Sequence, residues 1–332
     1  MIISRTPLRV SFFGGGTDYP AFYNENGGAV LSTSINKYSY VICRHLPPFF
    51  DYNYDIRYSR REEAKNIADI QHPSVRECLN FMDLGHGVEI QHNADLPARS
   101  GLGSSSAFTV GLLNSLYALK GELVSKRRLA LEAIHVEQEM IKENVGSQDQ
   151  TTAAFGGLNR IDFGGRRNIW VQPITLEQSK IDLLQSYLML FFTGFPRNAS
   201  EIAEEQIKKT PEKTTELKAM MEMVDEAVNI LNGNENGYED FGKLLNESWK
   251  LKRSLTGRIT SPEIDEIYDS AMEAGALGGK LLGAGGGGFI LIFARPEIQP
   301  EIKKKLNKLL HVTFKFHDMG SQIVYYAPED NY

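Results

Sequence analysis

The sequence predicts an α+β protein of two packed units, and three observations carry that reading. Strand and turn signals fill roughly the first ninety residues, two strong helical periods follow, and the second half mixes amphipathic helices with isolated apolar strands. At about 150 residues per domain, 332 residues accommodate two cores. A boundary is expected near residue 180, giving units over 1–180 and 181–332.

In chain order, Tyr38 to Arg44 and Gly87 to His92 read as strands between Gly, Pro and Asn clusters, with one short helix near Ser74 to Met82. Ala107, Val110, Leu113, Leu116 and Tyr117 set the first strong helical period. Leu129, Ala130, Ala133, Ile134, Met140 and Ile141 set the second, and each has a serine ahead of it suited to capping. Asn159 to Ile174 alternates around Gly164 and Gly165, and Tyr187 to Thr193 reads as a compact apolar strand. Helices are expected after Ser200, on to about Ile230, from Glu239 to Ser254 and from Pro262 to about Ala276. The strands Phe289 to Phe293 and Ile323 to Tyr326 then flank a helix from Pro300 to Leu310, whose Lys303, Lys304, Lys305 and Lys308 read as a solvated face.

Composition excludes several classes of function. Thirty-six Lys and Arg against 42 Asp and Glu give a net charge of −6 without a clustered basic face, which argues against nucleic-acid binding. Cys43 and Cys78 form no metal or redox spacing and suit a reducing cytoplasmic setting. Arg5 and Arg9 interrupt the apolar N-terminal stretch, and no run approaches a membrane span, so neither secretion nor a membrane partner is expected.

Three segments concentrate small residues: Gly14-Gly15-Gly16-Thr17-Asp18, Gly101-Leu102-Gly103-Ser104-Ser105-Ser106, and Gly283-Ala284-Gly285-Gly286-Gly287-Gly288. The middle one feeds directly into a helix whose N-terminal N–H groups and dipole favour a bound anion. The third matches GxGxxG, but the expected order of helix before and strand after is the reverse of a dinucleotide fold. No Walker sequence is present, and Asp162-Phe163-Gly164 lacks the catalytic loop a protein kinase would need upstream.

Two acids stand out. Helical spacing puts Glu137 in the middle of an apolar face, where a buried carboxylate needs a cation, either a basic side chain or a metal ion, unless it snorkels outward. Asp149 reads as a loop acid just past that helix, placed for general-base work or for a plain turn.

Jointly these residues resemble the GHMP kinases, the superfamily of galactokinase, homoserine kinase and mevalonate kinase, over nearly the whole chain. The resemblance implies a fold with an N-terminal half like ribosomal protein S5 domain 2 and a ferredoxin-like C-terminal half. It implies that Gly101, Leu102, Gly103, Ser104, Ser105 and Ser106, with Gly285 and Gly286, bind ATP, and that Ser105 and Glu137 hold Mg²⁺. Asp149 would be the catalytic aspartate that takes the hydroxyl proton and Arg9 the basic residue beside it, with Gly16, Thr17 and Asp18 on the sugar. Gly15 and Gly16 stand where galactokinases carry Glu and His, so galactose is not the expected substrate. The Gly-Gly-Gly-Thr-Asp form, the run Glu247 to Lys252, the segment Ile264 to Tyr268 and the stretch Ala274 to Lys280 are similar to D-glycero-D-manno-heptose 7-phosphate kinases. That similarity implies phosphorylation of the C1 hydroxyl of the heptose 7-phosphate, for nucleotide-heptose and surface-polysaccharide synthesis. Arg197 is the candidate for the C7 phosphate, with Arg99 or Arg60 and Arg61 as alternatives. Competing readings are an L-fucokinase-like hexose 1-kinase, a non-catalytic sugar and ATP sensor, and an ATP-dependent decarboxylase. The apolar helices of the second half could equally pack a core or a homodimer interface.

Overall fold

Alternating apolar and polar residues along the N-terminal third build one large sheet. The computed structural model describes residues 1–84, 87–165, 168–195, 199–233 and 237–327. The sheet runs in the order Gln322–Tyr326, Ile2–Phe13, Gly28–His45, Val88–Ala94, Tyr54–Arg57 and Arg61–Ala64. Leu158–Gly164 pairs with the other end of the long strand Gly28–His45 and carries the hairpin partner Asn168–Pro173. All these pairings are antiparallel except that of Tyr54–Arg57 with Val88–Ala94. Helix Ser104–Leu119 lies on the sheet against Ile2–Phe13 and Gly28–His45, buried on almost every side, as its near-continuous apolar sequence requires.

A second, fully antiparallel sheet runs Leu310–His311, Leu188–Phe192, Phe289–Phe293, Gly278–Leu281. It begins at Leu188, just past the boundary read near residue 180. Helices Ala199–Lys209, Thr214–Asn232, Tyr238–Leu255 and Pro262–Glu273 follow. Thr214–Asn232 and Tyr238–Leu255 turn their apolar residues, among them Met220, Val224, Phe241, Leu245 and Trp249, into the chain's own core.

Several expectations change on sight of the fold. Residues 322–326 leave the second unit and return to the first sheet, pairing Ile2 with Tyr326, because the edge of Ile2–Phe13 would otherwise expose unpaired backbone. Gly278–Leu281, whose two glycines hid it from propensity, is a fully buried strand. The glycine run 283–288 therefore joins two antiparallel strands. The lysine-rich helix is shorter than read, Gln299–Lys305, with its lysines exposed. Asp162-Phe163-Gly164 lies within a strand, with Phe163 buried against Tyr23. Both cysteines are free and buried, and burial pushes the Cys43 thiol up to about 12. No helix among the described residues is long and apolar enough to cross a membrane.

The two sheets share one core. Phe241 meets Phe12 and Phe13 of the first sheet edge-on, at 5.6 and 5.0 Å between ring centroids, and Phe293 of the second at 5.6 Å. Truncating Phe241 to Ala should cost about 3–5 kcal/mol and leave one cooperative urea transition, because the cavity opens between both halves. Two separated transitions in the parent protein would show instead that the halves unfold independently.

Candidate active site

Arg9 is the residue around which the site assembles. Its strand carries it inward opposite Ser34, and its own N–H donates to the Leu102 carbonyl at 3.0 Å. The guanidinium then forks. Nε and Nη2 donate to Asp149 Oδ1 and Oδ2, each at 2.8 Å, and Nη1 donates to the Gly101 carbonyl. The Arg9 side chain is only 5% exposed while that of Asp149 keeps 27%, so the carboxylate has one open side. Asp149 sits in the first turn of helix Gln148–Phe155 rather than on a loop, where a negative charge complements the helix dipole.

Gly103 makes this packing possible. Its φ of +74° suits glycine, and a Cβ there would lie 3.2 Å from Arg9 Cγ and 3.3 Å from Asp149 Oδ2. Gly103 is also the N-cap of Ser104–Leu119, where a capping serine was expected. Ser125 does cap the next helix, accepting from the Arg128 N–H at 3.2 Å. No side chain caps the helix that follows the Gly101–Ser106 loop, so its first-turn N–H groups have no capping acceptor.

Glu137 is fully buried, as its spacing predicted, but the backbone that carries it was not foreseen. Helix Lys126–His135 widens into a π turn over Val136–Met140, a feature common at functional sites. Oε2 accepts from Ser106 Oγ at 2.8 Å and from Gln150 Nε2, and the Thr109 hydroxyl lies near the carboxylate while donating to the Ser105 carbonyl at 3.3 Å; Oε1 itself makes no hydrogen bond. Burial pushes this carboxyl up to about 7. Among the described residues no Lys or Arg pairs with it, which removes the basic-side-chain alternative. A buried, unpartnered carboxylate oxygen beside a phosphate loop fits a hard cation such as Mg²⁺. Ser106 makes the contact to Glu137, whereas Ser105 is exposed in the first helical turn.

Asp18 lies beside Asp149. It accepts from the Gly16 N–H at 2.9 Å and the Gln148 N–H at 3.3 Å. Burial pushes its carboxyl above the ordinary range, with the Asp149 charge adding and Lys252 opposing. Thr17 departs from its expected role on the sugar. It is buried, and its hydroxyl is spent on the Gly14 and Ala29 carbonyls, so it braces the loop. From the second sheet, Phe289 N donates to Ser100 O at 3.0 Å, bringing the third glycine loop against the base of the phosphate loop. Gly286 N is committed to Ile259 O at 2.9 Å. Arg197 lies outside the described residues. Arg60 and Arg99 are exposed, and Arg61 is paired with Asp55 at 2.9 Å.

Sequence reading missed Gln148 and Gln150, whose amides hold Asp149 and Glu137, and it missed the buried lysines Lys252 and Lys280. Lys252 was detectable: it lies three residues after Trp249 and three before Leu255, on an apolar helix face, the pattern that exposed Glu137. Lys280, in a glycine-rich strand, gave no such signal.

Two family models match the chain, the GHMP kinases N terminal domain over residues 73–157 and the GHMP kinases C terminal over residues 227–312. A D-glycero-alpha-D-manno-heptose 7-phosphate kinase of Campylobacter jejuni is 28% identical over 92% of this chain and 93% of its own length. An L-fucokinase/L-fucose-1-P guanylyltransferase of Bacteroides fragilis is 24% identical over 93% of this chain, which spans only 36% of that longer protein. A solved structure, a D-glycero-D-manno-heptose 1-phosphate kinase from Bacteroides thetaiotaomicron, matches with a TM-score of 0.77 at 23% identity, covering 98% of this chain and 99% of its own. That likeness bears on the fold.

Because the folded protein holds the Glu137 proton more tightly than an unfolded chain does, stability should fall as pH rises from about 4.5 to about 7. In metal-free buffer, Glu137→Gln should melt higher than the parent at pH 8 and level with it near pH 4. Thermal denaturation across this range checks the sign, and equal slopes in both proteins would refute the buried, unpartnered carboxylate.

Proposed function

The chain belongs to the GHMP kinases, ATP-dependent phosphotransferases that act on alcohol groups and generally use Mg²⁺, and from that premise we propose that it phosphorylates the anomeric hydroxyl of D-glycero-α-D-manno-heptose 7-phosphate. The observation that carries the chemistry is the two-pronged Arg9–Asp149 pair at the mouth of the Gly101–Ser106 loop. The similarity to the Campylobacter enzyme, over nearly the whole of both chains, supports the sugar.

In this reading the uncapped first turn at Ser104 receives the ATP phosphates, and the glycine loop around Gly285 closes on them from the second sheet. Glu137 Oε1, with a serine hydroxyl of that turn, would hold Mg²⁺, which would offset charge on the phosphates. The exposed side of Asp149 accepts the proton of the sugar's C1 hydroxyl, and Arg9 fixes the carboxylate's direction and offsets charge on the phosphoryl group in transit. Asp18 holds neighbouring hydroxyls. Little further chemistry is required, since phosphoryl transfer depends mainly on positioning and electrostatics. The product would be the 1,7-bisphosphate.

The test is ADP release with ATP and Mg²⁺ over heptose 7-phosphate, L-fucose, galactose and mannose, with phosphorus NMR locating the new phosphate. Turnover of heptose 7-phosphate at C1 is expected. Turnover of L-fucose alone would replace the substrate with that of the Bacteroides fragilis relative, and no turnover would return the sensor reading. Asp149→Asn should lower kcat by about 10²–10⁴-fold and still bind nucleotide; full activity would remove Asp149 from the mechanism.

A further inference from the structure

Behind Asp18 the second unit places more positive charge than the chemistry above uses. Lys252, on Tyr238–Leu255, and Lys280, on Gly278–Leu281, are 5% and 4% exposed. Neither is ion-paired at contact distance among the described residues. Lys252 Nζ donates to Gln206 Oε1 at 3.0 Å and to the Gly15 carbonyl at 3.4 Å, and Lys280 Nζ donates to the Phe12 carbonyl at 2.8 Å. Gln206 is itself 2% exposed, and its Nε2 has no acceptor.

These groups converge on one point of the sugar loop. A Cβ on Gly16 would lie 2.6 Å from Gln206 Nε2 and 3.7 Å from Lys252 Nζ, so both side chains end against this point of the loop. Asp18, two residues on, is the one carboxylate among the described residues whose charge acts on both lysines. Arg9 is already neutralised by Asp149. Two buried ammonium groups therefore share a single acid, with carbonyls as their other partners, an arrangement costly in the free protein. Burial accordingly lowers Lys252 to about 8 and Lys280 to about 7.

A neutral sugar leaves both lysines holding their protons weakly, whereas a phosphate monoester favours their charged forms and gives Gln206 Nε2 an acceptor. We propose that Lys252 and Gln206, with Lys280 behind them, receive the phosphate the sugar already carries, at the end away from the hydroxyl facing Asp149. This assignment rests on the sugar-phosphate reading above and takes the place of Arg197, Arg99 and Arg60 as the receiver.

The test compares heptose 7-phosphate with free heptose as substrates of the parent protein, Lys252→Gln and Gln206→Leu. Expected are rises in KM for the 7-phosphate of at least 10-fold in Lys252→Gln and about 3-fold in Gln206→Leu. KM for ATP should move less than 2-fold, and KM for free heptose should rise several-fold less than KM for the 7-phosphate. Calorimetric titration of the parent with heptose 7-phosphate, without nucleotide and in buffers of different ionisation enthalpy, should show proton uptake near pH 8 as the lysines regain their protons; this readout stands even where a variant fails to fold. Equal losses on both sugars, or a fall in kcat alone, would overturn the assignment, as would binding without proton uptake. If the parent turns over free sugars and never the 7-phosphate, the substrate reading falls before any variant is made. If it turns over the 7-phosphate and both variants match it, only the receiving residues are wrong.

Discussion

The fork of Arg9 onto Asp149 ties three distant pieces of chain into one site. The strand that supplies Arg9, the loop that offers the Leu102 and Gly101 carbonyls and the helix that begins at Gln148 have no local reason to meet. A bidentate guanidinium–carboxylate pair has a defined plane and direction, so it fixes their mutual angle as well as their distance. Gly103 packs tightly against the two side chains at a φ that suits glycine, and through Gly103 the pair borders the start of helix Ser104–Leu119. Replacing Arg9 with Lys would keep the charge and lose that geometry.

Much of this was legible in the residues. Glu137 declared itself by standing on the wrong face of a helix, and the Gly-Ser loop by running straight into a helical period. The strand Phe289–Phe293 and the helices from Tyr238 and Pro262 lie close to where periodicity placed them, because each buries a single continuous face. What escaped depended on partners remote in sequence. Gly278–Leu281 is a strand because Phe289–Phe293 pairs with it, in spite of its glycines. The π turn at Glu137 is likewise invisible to a pattern that assumes 3.6 residues per turn throughout.

The site residues divide along the same line. Glu137 could be found because its charge stands on an apolar helix face, whereas Arg9, Asp18 and Asp149 were singled out by the resemblance of their motifs. Thr17 carries a side chain equally suited to ligand or loop, and only the carbonyls of Gly14 and Ala29 decide for the loop. Ser105 and Ser106 are neighbours of one type, separated by a 100° step around the helix that points one outward and the other at Glu137. Gln148 and Gln150 have no charge to make them conspicuous, yet their amides bond to Asp149 and Glu137.

The strand that carries Arg9 is bordered by Gly28–His45 on one side and by residues 322–326 on the other. During synthesis the first of these neighbours emerges almost at once, while the second leaves the ribosome more than three hundred residues later. Until then residues 2–5, at the start of the strand that goes on to Arg9, keep an open edge, and closing it is among the longest-range pairings in the molecule. A chaperone or a premature partner strand would find its opening there.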